Sequence, residues 1–174
     1  MNLRHTLGLA LSILSVGITA CGGGEGDAPG LTYDVETART EVLAAEMAIN
    51  EAVDGLDCAT GVSLMGEADP IFVSSGNVVR TRAELAEICE QMVAPRSGAV
   101  FSIESRAAHV LADDAAFVVR EGPYTVSYLD GTSDEFYLVI TSIWVREGER
   151  WEMVHLHESV RSPEIAELLS PEGG

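Results

Sequence analysis

The chain has 174 residues, 28 acidic against 10 basic, for a formal net charge of −18, and it contains no lysine. Such a charge repels phosphate backbones and anionic lipid headgroups, so no nucleic-acid partner is expected and the acidity reads as a solvated surface. The length suits one ordinary domain with its own core.

Residues 1–20 read as an export signal: Arg4 and His5 give a basic start, Leu7 to Val16 is apolar, and small residues precede Cys21. The apolar stretch falls short of the ~20 residues that span a bilayer. Ile18-Thr19-Ala20-Cys21 resembles the bacterial lipobox, which implies cleavage before Cys21 and lipid attachment to its thiol; the alternative is ordinary secretion with Cys21 free. Several lipid chains hold a protein stably where one does not. Gly22 and Gly23 after the cysteine imply, by resemblance to enterobacterial sorting, the outer membrane facing the periplasm. Residues 21–33, with the run GGGEGDAPG, read as a flexible tether.

The domain is expected over 34–162. Val35, Ala38, Val42, Ala45, Ile49 and Val53 recur at helical spacing and predict a helix from Asp34, its N-cap, to Val53, stopped at Gly55. A short helix over Cys58–Met65 is weakened by Gly61. Brief strands follow at Ile71-Phe72-Val73 and Val78-Val79. Thr81-Arg82-Ala83-Glu84 is a capping box opening a third helix, with Leu85, Ile88, Cys89 and Met92 as its core face and Pro95 as its end.

The second half alternates as strands: Phe101–Leu111, Ala115–Tyr128, Phe136–Val145 and Trp151–Val160. Gly122-Pro123 predicts a bulge or an edge, because proline donates nothing to a ladder. The tail 163–174 holds one helix-like turn over Pro163–Leu169. Helices first and strands afterwards predict an α+β domain, with three helices packed on a curved antiparallel sheet. In an oxidising compartment Cys58 and Cys89, on helices expected to be neighbours, predict a disulfide contributing ~3–4 kcal/mol on the chain-entropy model; the alternative is two buried thiols.

His109-Val110-Leu111-Ala112-Asp113-Asp114-Ala115-Ala116 and the closing Trp151-x-x-Val154-His155-x-His157-x-Ser159 resemble the nuclear transport factor 2-like (SnoaL-like) superfamily. Within it the nearest likeness is the association domain of calcium/calmodulin-dependent kinase II. The resemblance covers about residues 37–162 and implies a cone: helices over the concave side of a bent sheet, around a pocket. It also implies a sheet-mediated homodimer, consistent with the final hairpin carrying apolar residues on both faces (Ile140 and Trp144, Val139 and Ile143).

For chemistry, His155 and His157 share one strand face. With His109 the only other histidine after residue 20, they read as structural rather than as a metal site. The association domain implies pocket arginines at the position of Ser142 and near Tyr124, where Gly122-Pro123 breaks the match, and neither residue is arginine here. Ketosteroid isomerase, of the same fold, implies an acid on the first strand and a tyrosine on the first helix, and Ile71–Ser75 and the first helix carry neither. Tyr124, Tyr128, Tyr137, Ser142 and Trp144 instead suggest a largely apolar pocket with hydroxyl and indole donors, suited to a small neutral or weakly polar organic ligand. Glu104, Glu158, His155 and His157 are the candidates for acid–base chemistry. No cofactor is implied. The leading expectation is a lipid-tethered binding module, with a small cofactor-independent isomerase, hydrolase or lyase, or an envelope assembly protein, as alternatives.

Overall fold

The computed structural model describes residues 34–161. The export signal, Cys21, the glycine-rich tether and the tail 163–174 lie outside the described residues. None of the described helices is long and apolar enough to cross a membrane.

Helix α1 (Val35–Asp54) begins where expected: the Asp34 carboxylate accepts from the amides of Glu36 and Thr37, and Gly55 closes the helix. Its buried face is Ala38, Val42, Glu46, Ile49 and Ala52. The apolar stripe therefore departs from expectation, since Glu46 takes the inward place assigned to Ala45 and Val53 is exposed. Helix α2 (Cys58–Ser63) is capped by Asp57. Helix α3 (Arg82–Val93) forms the first half of the expected box, Thr81 Oγ1 accepting from the Glu84 amide, while the Glu84 carboxylate accepts from the Arg80 amide, one residue before the cap. Only Leu85 of α3 is buried, and Ile88 and Met92 are exposed. The helix lies mainly against α2 and reaches the core through Leu85 alone, so its apolar spacing overstated its burial. A Cys58–Cys89 disulfide ties α2 to α3, with Cα atoms 5.8 Å apart across 31 residues.

One sheet follows: β1 (Ile71–Ser74), β2 (Asn77–Val79), β3 (Arg96–Phe101), β4 (Ser105–Ala112), β5 (Ala115–Tyr128), β6 (Ser133–Glu147) and β7 (Arg150–Val160). The order is β2-β1-β7-β6-β5-β3, and β4 also pairs with β5. Every pairing is antiparallel except β1 with β7. The expected strand Phe101–Leu111 thus begins on the last residue of β3 and, after a break over 102–104, continues as β4, both pairing with β5; β3 itself, from Arg96, was not among the expected strands.

The break between β3 and β4 faces Gly122-Pro123. Ser102 donates to the Pro123 carbonyl and Glu104 to the Glu121 carbonyl, both at 2.9 Å, and the Ser102 carbonyl lies where a side chain on Gly122 would stand. Pro123 makes neither a bulge nor an edge against β6, whose register with β5 runs unbroken. A strand residue's N–H and C=O point the same way, so the missing donor of Pro123 faces the kinked segment, where no ladder partner needs it. One concave face of the curved, unclosed sheet packs α1. Val42, Ile49, Val118, Ile140, Trp144 and Leu156 form the centre of that core.

Candidate functional site

The concave face holds charge at its centre. Glu46 follows Val42 by four residues and precedes Ile49 by three, so the helical repeat turns it inward, where it is 2 % exposed. A buried carboxylate is expensive unless paired, and two arginines directly across the β4–β5 ladder pair with it. Arg106 Nη1 donates to Oε2 at 3.2 Å, and Arg120 Nη1 donates to Oε1. Arg120 is 6 % exposed and lies 5.1 Å from the Phe101 ring centroid. Burial lowers its guanidinium pKa to about 10, partly offset by the Glu158 carboxylate. Glu158 is on the same face and accepts from Ser74 Oγ at 2.8 Å.

Beyond this network the face becomes aromatic. Phe101 and Tyr124 meet edge to face with centroids 6.1 Å apart, and the Tyr124 hydroxyl accepts from Arg96 Nη1 at 3.1 Å. Asp54, at the end of α1, accepts from the Phe101 amide at 3.0 Å. Burial raises the pKa of both Asp54 and Tyr124. Tyr128 stands further along β5 and donates to Asp134 at 2.9 Å; that bond raises its pKa.

The five residues expected to line one pocket are not brought together. Trp144 and Ser142 are buried deep, and the indole donates to the Ser142 hydroxyl at 2.8 Å, so these two satisfy each other. Tyr124 and Tyr128 occupy the concave face nearer its end. Tyr137 is on the opposite face, donating to Glu104 at 2.9 Å, with Arg161 3.4 Å from its ring centroid. His155 and His157 also lie on that opposite face, in register with Ile143 and Thr141. Of the acid–base candidates only Glu158 therefore faces the interior. Among the described residues no cluster of ligating side chains could hold a metal ion.

Sequence reasoning missed Glu46, Arg120, Arg96 and Asp54. Glu46 carried a signal, an acid inside an apolar stripe, and so did Arg120, which continues the inward alternation of Ala116 and Val118. Arg96 carried none, because its strand was not among those expected. It nevertheless brings a cation to the Tyr124 hydroxyl. A hollow of about 350 Å³ between α1 and the β6–β7 turn, apart from the Tyr124 end of the face, has walls that satisfy one another: Trp151 donates to Glu41, and Arg150 to Glu152.

A SnoaL-like domain model matches residues 42–163. The chain belongs to the SnoaL-like domain family. Solved structures of the same fold include a nuclear transport factor 2-like superfamily protein from Salmonella enterica (18 % identity, TM-score 0.67, covering 81 % of this chain and 99 % of that one). A chain from Xanthomonas campestris, named for the calcium/calmodulin-dependent protein kinase II association domain, is 20 % identical with a TM-score of 0.60, covering 76 % of this chain and 93 % of its own. A ketosteroid isomerase-like protein from Erwinia carotovora is 17 % identical with a TM-score of 0.60, covering 75 % and 100 %. At these identities the likeness is one of fold. No curated protein matches this SnoaL-like chain.

Proposed function

We propose that this SnoaL-like domain is a binding module that holds a small, weakly polar organic ligand against the Tyr124 end of the concave face. The observation that carries this reading is the meeting of Phe101, Tyr124 and Arg96 there. An aromatic wall stands beside a hydroxyl and a guanidinium, the few convergent polar groups that a small-molecule site uses for orientation. Arg96 Nε and Arg120 Nε are buried and lack an acceptor among the described residues, which leaves donors for a ligand. The lipobox-like Ile18–Cys21 supports tethering through Cys21 to the envelope, with the domain on the periplasmic side. The sheet face turned from the helices supports a homodimer.

The test is native mass spectrometry of protein from its own host to find a co-purified small molecule, followed by titration of that molecule. Tyr124→Phe and Arg96→Ala are expected to weaken its binding about tenfold each, the scale of one lost hydrogen bond to a charged or buried group. Unchanged affinity in both variants would remove this site from consideration.

A small acid–base enzyme is the second reading. It is favoured by Asp54, whose raised pKa suits a general base, on the same face as the Tyr124 hydroxyl. Asp54→Asn would then abolish turnover while leaving ligand affinity intact.

A further inference from the structure

After residue 20 the chain has three histidines, His109, His155 and His157, and all stand on the sheet face turned away from α1. Two neighbouring rows cross that face. One runs His109, Phe117, Ile143, His155 and Ile71; the next runs Ala107, Val119, Thr141, His157 and Val73. The His109 ring stacks on Phe117 with centroids 4.6 Å apart. Ile143 is 40 % and Ile71 46 % exposed, so the centre of the band is apolar and open.

Neither row contains a carboxylate or an arginine, in a chain with 28 acids. The other ionisable groups lie outside the rows. Beyond one end are Glu104, Glu121 and Arg161, with Arg161 paired to Glu121 at 3.2 Å, and Glu135 further along β6. Beyond the other are Asp113 and Asp114 in the β4–β5 turn, and Glu152 bound by Arg150. β1 and β2 contribute Ile71, Val73 and Val78 to this face; the exposed Arg80 follows β2 at the edge beside Ile71, and Glu147 ends β6 in register with Arg150.

We infer that this band is a self-association surface opened by protonation of its histidines, an inference that rests on the dimer reading above. The occupant is a second copy of the chain. Two molecules of net charge −18 repel each other, and a two-fold contact sets one face against the same face. Only a region free of carboxylates meets itself without opposing like charges. Neutral imidazoles are readily desolvated in such a contact, whereas imidazolium ions would be buried beside the partner's identical cations. The sign follows: the contact favours the neutral ring, so dimer affinity is full where the rings are neutral and falls as acid charges them. Relief of overall repulsion at low pH acts the other way. It is screened beyond ~8 Å at physiological salt, while groups inside the contact are not.

The experiment is sedimentation of the full-length chain in detergent solution, over a concentration series at about pH 7.5 and pH 5.5, bracketing the imidazole range at constant salt. The expected result is a dimer at the higher pH and a dissociation constant about tenfold or more larger at the lower, each imidazole in a two-fold contact counting twice. The variant His109→Gln/His155→Gln/His157→Gln is expected to show one constant at both. A monomer at the higher pH overturns the dimer and this inference together. A dimer of unchanged affinity at the lower pH overturns the gating alone. Dissociation that persists in the triple variant does the same, because carboxylates would then be responsible. Should the triple variant fail to fold by circular dichroism, His155→Gln and His157→Gln singly must each shrink the pH response, and an undiminished response in both overturns the gating.

Discussion

Glu46 concentrates the energetics of the interior at one residue. Its two carboxylate oxygens are each taken by a guanidinium, so removing it strands Arg120 in a site 6 % exposed. Loss of one partner of a buried pair costs about 3–5 kcal/mol, whereas replacing both with apolar groups of similar volume is often neutral. Glu46→Gln should therefore lower urea-unfolding stability by roughly that amount, and Glu46→Leu/Arg120→Met should recover most of it. Equal losses in the single and double variants would show that the helix position matters and the ion pair does not.

At the scale of elements, the helical layer is held in two ways. α1 packs by its own buried face, but α3 buries only Leu85 and relies on its bridge to α2. A 31-residue closed loop should contribute about 3–4 kcal/mol. Cys58→Ser/Cys89→Ser is expected to lose about that much stability, and its melting point should match that of the reduced wild type. Identical melting of oxidised and reduced protein would count against the bridge in solution. The strands show a different economy. Gly122-Pro123 lets β5 keep one unbroken register with β6 while its other edge passes from β4 to β3, which is how a single long strand serves a bent sheet.

For the whole molecule, the two sheet faces divide the work. The concave face carries the charged and aromatic groups beneath α1, and the opposite face carries the histidines and the open apolar rows. If the opposite face joins two copies, a charge at its centre should separate them without touching the interior. Ile143→Glu is predicted to give a monomeric mass by light scattering at micromolar concentration, with ligand affinity at the Tyr124 site unchanged. A dimer that survives this substitution would place the contact elsewhere.

Local chemistry alone made much of the fold readable. The Asp34 and Thr81 caps, the Gly55 stop and the closing hairpin depend on neighbours a few residues apart, and each formed as its own residues dictated. So did the shared face of His155 and His157, which is a period-two consequence of any strand. The site was less legible because its groups meet across the chain. Glu46 is 74 residues from Arg120, and Arg96 is 28 from Tyr124. Periodicity could say that Glu46 and Arg120 point inward, yet it could not say that they point at each other. Cross-strand register likewise decided which aromatic residues meet, setting Tyr124 beside Phe101, whereas the opposite faces of Tyr137 and Trp144, both on β6 and an odd number of residues apart, follow from alternation alone. Sequence by itself determined the elements, their caps and the family; tertiary packing alone decided which charges neutralise one another, because that depends on distances no local spacing contains.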